Sequence, residues 1–270
     1  MAVSLPAPEG FVALAGTARV TATAVVFDVQ RDATGPALVC KRLGSRAAAE
    51  PWVRARLRAE GELLERLGGR STPRRIAAGE DAHGPWVVME RVAGEPLASR
   101  LGAVADAGWV TRAAASSFSA LGSLHEAAVV HGDINPDNVL VSTDGSNATV
   151  LDLGLASWPG APSMPAGPFR GTPAYAAPEV ARGEPRDARA DLFGLAATLL
   201  HVASGTCPRP QESEAAVLLA AGEQDLESWA RRASSALPPT VAAALVRCCA
   251  FEAGSRPRSA AEVLAAMRPL

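Results

Sequence analysis

The run His131-Gly132-Asp133-Ile134-Asn135-Pro136-Asp137-Asn138 and the triplet Asp152-Leu153-Gly154 hold the side chains best suited to chemistry in this chain. The sequence contains only three asparagines, and two of them, Asn135 and Asn138, fall in the first run. Asp133, Asn138 and Asp152 offer hard oxygen donors of the kind that suits Mg²⁺, and a further carboxylate can take a proton from an attacking hydroxyl. Each residue alone reads as an Asx-turn or a helix cap, whereas the set in this order reads as one cleft. Lys41, in "ALVCKRLG", is a second pointer: it is the only lysine among 26 basic residues, the rest being arginine. A compact ammonium on a flexible stem does work that a planar guanidinium cannot, so a lone lysine is either drift or a point charge kept for a purpose.

These residues need elements to hold them. Residues 11 to 45 are rich in β-branched residues, and "VTATAVVFDVQ" and "PALVCKRL", parted by "RDATG", predict a hairpin. "EPWVRARLRAEGELLERLGG" puts Trp52, Leu57, Leu64 and Leu67 near helical spacing, with Gly68 and Gly69 as a stop. "PRRIAAGED" and "GPWVVMERV" predict two further strands. From Ala98 the texture becomes alanine- and leucine-rich, predicting helices near 107–127, 189–204, 213–233, 239–251 and 259–268. The expected architecture is α+β in two lobes: a β-rich lobe with one helix over 1–92 and a larger, mainly helical lobe over 93–270. A long Pro- and Gly-rich stretch, 156–179, reads as functional or disordered.

The bulk composition narrows the function. Of 270 residues 48% are hydrophobic and 20% charged, enough for a sizeable core, and the net charge of −2 shows none of the basic excess that tracks nucleic acid or an anionic membrane. Arg54, Arg56 and Arg58 read as a solvated helix face. The N-terminus lacks a secretory pattern and no apolar run approaches the roughly 18 residues that span a bilayer. Four cysteines without a C-x-x-C pair suggest a reduced, cytoplasmic setting and no metal site built on thiolates. Of the five tryptophans, Trp52, Trp86, Trp109 and Trp229 read as packing residues, and His125 and His201 read as core or surface residues on helices.

In the order of its motifs the chain resembles the eukaryotic-type protein kinase superfamily, nearest to bacterial Ser/Thr kinases. "LVCK" resembles the strand that carries the phosphate-contacting lysine, and Glu60 of "RAEGELLERL" stands where a helix glutamate pairs with it. "VVMERVAGEPL" resembles the hinge, with Met89 as gatekeeper. "HGDINPDN" resembles the catalytic loop, "DLG" the metal-binding triplet and "GTPAYAAPE" the end of the activation segment. The resemblance implies a bilobal kinase-like fold, ATP and Mg²⁺ as cofactors, and a protein substrate or regulatory protein as partner. It assigns catalysis to Asp133, Lys41, Glu60 and Asn135, nucleotide contact to Lys41, Val26, Val39, Glu90, Val92 and Leu140, and metal binding to Asn138 and Asp152. It also implies that Asp191 holds the catalytic-loop backbone, that Arg256 pairs with Glu179, that Thr172 supports Asp133, and that His131 stacks under Leu153 and Leu64.

Four positions depart from that pattern. The G-x-G-x-x-G expected near Arg19, Thr21 and Ala24 is missing, which should weaken or reshape ATP binding, because glycines let backbone amides approach phosphates. Asn135 replaces a lysine; its amide can donate to a phosphate but cannot offset its charge, so transfer should slow unless another cation such as Arg19 substitutes. Val39 replaces a small residue over the adenine. Gly132 replaces an arginine that receives an activation-segment phosphate, so phosphorylation of that segment is not expected to be required. Three readings follow, in order: a Ser/Thr protein kinase, a pseudokinase acting as a nucleotide- or partner-binding scaffold, and a small-molecule phosphotransferase.

Overall fold

The computed structural model describes residues 6–21, 23–32, 34–102 and 105–268. These residues divide into two compact units: one runs to Val92 and takes in Gly160–Ala166, and the other comprises Ala93–Pro159 and the residues from Gly167 onward. The return of 160–166 to the first unit was not visible in a segment of uniform Pro and Gly character.

The first unit is built on an antiparallel sheet. Its strands are β1 (Val12–Ala13), β2 (Arg19–Val20), β3 (Ala24–Gln30), β4 (Leu38–Leu43), β5 (Arg75–Asp81) and β6 (Gly84–Glu90), in the order β1-β3-β4-β6-β5 with β2 pairing to β3. The expected hairpin is β3–β4, and its register pairs Val26 with Lys41 and Asp28 with Val39; across β4 and β6, Val39 pairs with Met89 and Lys41 with Val87. Residues paired across antiparallel strands share a face. Val26, Val39, Lys41, Val87 and Met89 therefore line one side of the sheet. The alternate residues Val25, Phe27, Val29, Leu38, Cys40 and Val88 form a buried apolar cluster on the other, covered by Phe11, Ile76 and Trp86. Helix α1 (Pro51–Leu67) starts with proline at its first position and ends at Gly68 in the left-handed region, φ 61°. It packs on β5 and β6.

The second unit opens with β7 (Glu95–Pro96), which joins β8 (Val139–Val141) and β9 (Ala148–Val150) in a small antiparallel sheet. Its helices are α2 (Ala107–Glu126), α3 (Pro178–Ala181), α4 (Ala188–Ser204), α5 (Glu214–Glu223), α6 (Glu227–Ala233), α7 (Pro239–Cys248) and α8 (Ala260–Ala266). Helix α4 is buried without interruption from Ala190 to Ala203, as expected for a helix apolar on all sides, and α2, α6 and α7 pack around it. The single helix expected over 213–233 is in fact two. Gln224–Leu226 break it, and the Asp225 carboxylate accepts the Glu227 N–H at 2.8 Å, an alternative that competes with continued helix. Among the described residues no helix is long and apolar enough to cross a membrane.

Candidate active site

In the first unit, Lys41 and Glu60 form a buried ion pair. The Lys41 ammonium donates to Glu60 Oε1 at 2.9 Å and to Oε2 at 2.8 Å, and the two residues are 8% and 3% exposed. Removing two charges from water costs several kcal/mol each, and this pair recovers it through short two-point contact. The ammonium is thus fixed on the same sheet face as Val26 and Val39. On the neighbouring hairpin the turn is closed by threonine instead of glycine: Thr21 N donates to Ala24 O at 2.8 Å, and the Thr21 hydroxyl accepts the Ala24 N–H at 3.0 Å. Position 22 lies outside the described residues. Arg19 sits on β2, opposite Val26 and exposed.

In the second unit, the loop from His131 to Asn138 is held from below by α4. Asp191, 2% exposed, accepts the His131 N–H at 2.7 Å and the Gly132 N–H at 2.8 Å, and His125 Nε2 donates to it at 2.9 Å. Burial pushes the Asp191 carboxyl up, but the hydrogen bond from His125 and its charge, together with the Gly132 N–H, outweigh it and hold the group below the usual carboxylate range. Helix α4 comes this close because position 194 is glycine: a β-carbon there would lie 2.9 Å from Ile134 O. His131 Nδ1 accepts the Asp133 N–H at 3.2 Å, so Nε2 carries the proton and donates to Leu151 O at 2.8 Å. One imidazole therefore ties the Asp133 loop to the strand end before Asp152.

The hairpin β8–β9 sets the remaining donors side by side. Val139 pairs with Val150 and Leu151 N donates to Asn138 O at 2.8 Å, which puts Asn138 and Asp152 at the same end of two neighbouring strands. Asn138 Nδ2 donates to Asp133 O at 2.9 Å, and the same nitrogen lies 3.5 Å from Asp133 Oδ2. With its nitrogen thus oriented, the side-chain oxygen of Asn138 is the end left to act as a ligand. Asp152 takes a left-handed backbone, φ 57° and ψ 82°, sparsely populated by non-glycine residues, and its Oδ1 accepts the Gly154 N–H at 3.0 Å. Thr172 completes the loop: its N–H donates to Asp133 Oδ1 at 2.9 Å, and its hydroxyl accepts from Asn135 Nδ2 at the same distance. Amide and carboxylate oxygens of this kind fit a hard divalent cation, whereas no cluster of three or more His, Cys, Asp or Glu side chains that could hold a metal occurs among the described residues. A recess against Asp133 is lined by Phe169, Thr172, Tyr175, Ala177 and Val180.

Residues 21–266 match the family model described as the protein kinase domain. The chain belongs to that family. The kinase domain is 36% identical over 187 residues to the DNA damage-responsive serine/threonine-protein kinase RqkA of Deinococcus radiodurans, covering 67% of this chain and 28% of the relative. It is 29% identical over 249 residues to the serine/threonine-protein kinase pkn3 of Myxococcus xanthus, covering 87% and 45%. Among solved structures it is similar to the PknI kinase domain of Mycobacterium tuberculosis, with 26% identity, a TM-score of 0.69, and coverage of 99% of this chain and 98% of that one. The chain spans only about a fifth to a half of the length of the curated relatives it matches.

Several side chains of the kinase domain differ from their sequence reading. Arg56 is not on a solvated face: it is 5% exposed and Nη1 donates to Pro162 O at 3.3 Å, while Arg54 and Arg58 pair with Glu80. Asn135 is 5% exposed, and its amide donates within the loop, to Thr172 and to Asp133 O at 3.2 Å. His125 and His201 have more than packing roles, since His125 supports Asp191 and the Tyr175 hydroxyl donates to His201 Nδ1 at 2.8 Å. Arg256 and Glu179, by contrast, form the expected pair, a buried two-point contact at 2.7 and 2.8 Å. Two arginines that sequence reasoning passed over, Arg186 and Arg209, reach the site's loops from elsewhere. Both lie beside prolines in polar loops, and nothing in that local pattern marks them as buried.

Proposed function

We propose that this kinase domain transfers the γ-phosphoryl group of ATP, with Mg²⁺, to serine or threonine hydroxyls of a protein. The observation that carries the reading is the Asp133 carboxylate, whose Oδ1 is clamped by the Thr172 N–H and whose backbone carbonyl is held by the Asn138 amide, beside a small recess lined by Phe169 and Tyr175. Asp133 orients the acceptor hydroxyl and takes its proton as the oxygen attacks the γ-phosphorus and the bond to the β,γ-bridging oxygen breaks, releasing ADP. Lys41, steadied by Glu60, neutralises charge on the α- and β-phosphates. By the resemblance, Val26, Val39, Glu90, Val92 and Leu140 are the residues that would contact the nucleotide. Asn138 and Asp152 would hold Mg²⁺, which when bound neutralises the phosphate oxygens. Most of the rate enhancement then comes from positioning and charge.

Two observations favour the second reading, a pseudokinase that binds nucleotide or a partner without transfer. The Asn135 amide is engaged inside the loop, so no cation stands at that position, and a threonine-closed turn replaces a glycine arch. Transfer is therefore expected to be slow. The decisive experiment is incubation with radiolabelled ATP and Mg²⁺, using casein as acceptor. Label on serine or threonine in the wild type, reduced at least about 100-fold in Asp133→Asn and in Lys41→Met, supports transfer. Calorimetric ATP binding without any label supports the pseudokinase.

A further inference from the structure

Gly132 precedes Asp133 with φ 81°, and a β-carbon built on it would lie within 2.6 Å of the guanidinium atoms of Arg186. The space a side chain at 132 would occupy is already filled by an arginine from the segment between α3 and α4. Its Nη1 donates to Gly132 O at 3.3 Å and its Nη2 donates to Leu155 O. The first carbonyl belongs to the residue before the proposed base, and the second lies three residues after the proposed metal ligand Asp152. One rigid fork thus spans the two loops on which transfer depends.

We propose that Arg186 is a positioning residue that locks the Asp133 loop to the Asp152 loop in the unmodified chain, in place of any side chain at position 132. The fork geometry is what the task needs. Two donors in a fixed plane can meet two carbonyls at once, whereas a lysine presents a single point charge. The charge is placed with equal care: burial pulls the guanidinium's pKa down, and the facing carboxylates Asp191 and Asp133 oppose that pull. The side chain is only partly exposed, so its donors are held to the two loops more than to solvent. The position explains why 132 is glycine for a reason separate from its φ, because even alanine there would evict the guanidinium. Both acceptors are backbone carbonyls, so the lock needs no modified side chain to form.

The catalytic consequence rests on the phosphoryl-transfer reading, whereas the lock itself does not, and hydrogen exchange on the full chain separates the two. In Arg186→Ala, peptides covering 130–138 and 151–157 are expected to exchange about tenfold faster or more, the cost of losing hydrogen bonds from a charged donor, while α7 is unchanged. Arg186→Lys should fall between wild type and alanine. Gly132→Ala should raise exchange in the same two peptides, and less so when Arg186 is already alanine, since the group it displaces is gone. Unchanged exchange in these peptides, or an equal rise across the whole chain, overturns the lock. Steady-state kinetics then read the catalytic share: kcat lowered about tenfold to a hundredfold in Arg186→Ala with the KM for ATP within about twofold, partly restored in Arg186→Lys. An unaltered kcat overturns the positioning role. Wild-type inactivity would remove the transfer reading but leave exchange to decide the lock.

Discussion

Asp191 shows how much one side chain can organise. It accepts the His131 and Gly132 N–H groups and the His125 ring in a dry environment, and among the described residues those two amides have no other acceptor. Each buried donor left unmade costs about 1–3 kcal/mol, so Asp191→Ala is expected to lose about 3–5 kcal/mol in denaturant unfolding. Asp191→Asn keeps the shape but turns an N–H toward donors, so it should lose at least about 1 kcal/mol. The pH dependence has a definite sign. The folded carboxyl is held below its ordinary value of 3.8, so its share of stability is complete above that pH and drains away as pH falls through the depressed folded value. The gap between wild type and Asp191→Asn should therefore be flat from neutral pH down to about 4 and shrink below it. A gap that narrows already between pH 7 and 5 would place the effect elsewhere. Asp191 could be singled out from sequence because it opens a long apolar helix, where a lone carboxylate needs a reason. His125 gave no such signal, since its partner lies 66 residues away.

Among the elements, the segment 173–179 rests on two buried guanidiniums that both lie over the ring of Phe193, Arg256 at 4.9 Å and Arg209 at 5.5 Å. Their chemistry differs. Arg256 meets the Glu179 carboxylate at two points and also donates to Ala250 O and Phe251 O. Arg209, 1% exposed, donates through Nη1 to Ala174 O at 2.8 Å and Ala176 O at 3.0 Å, while its Nε and Nη2 have no hydrogen-bond partner among the described residues. Burial pushes its pKa down to about 10, still charged at neutral pH. Glu179→Ala leaves a buried charge uncompensated and is expected to cost about 3–5 kcal/mol. Arg209→Met removes an incompletely satisfied charge, and the gain offsets the carbonyls it abandons, so the net change should stay within about 1 kcal/mol. Its cost should fall instead on acceptor KM, because 173–176 loses its brace. Equal destabilisation by the two substitutions would contradict this contrast. Periodicity revealed β3 and α1, whose burial repeats locally at two or near 3.6 residues, and unbroken apolar runs revealed β4 and α4. It could not reveal the break at Asp225, a single side-chain hydrogen bond, or the burial of Arg56, Arg186 and Arg209, whose partners are remote in sequence.

For the molecule as a whole, the order of motifs carried the family, because each marks a place where one residue type is hard to replace: a lone lysine, paired asparagines, an aspartate opening a buried helix. What the motifs could not carry is whether the altered phosphate turn still binds nucleotide, and linkage tests that on the intact chain. A ligand that binds only the folded state at 100 times its Kd adds about 2.7 kcal/mol, and for a chain somewhat above 150–250 residues each kcal/mol moves Tm by about 2–4 °C. Saturating ATP with Mg²⁺ is therefore expected to raise Tm by about 5–10 °C. Chelating the metal should remove a large part of the shift, since Asn138 and Asp152 act on the phosphates only through it. Lys41→Met should abolish most of the remainder, while Asp152→Asn should erase the difference between metal and chelator. The two substitutions thus report on separate halves of the proposal. If the threonine-closed turn at Thr21 has shut the nucleotide out, millimolar ATP will move neither wild type nor variant, and the Lys41–Glu60 pair is then a brace of the sheet and its helix instead of a phosphate contact.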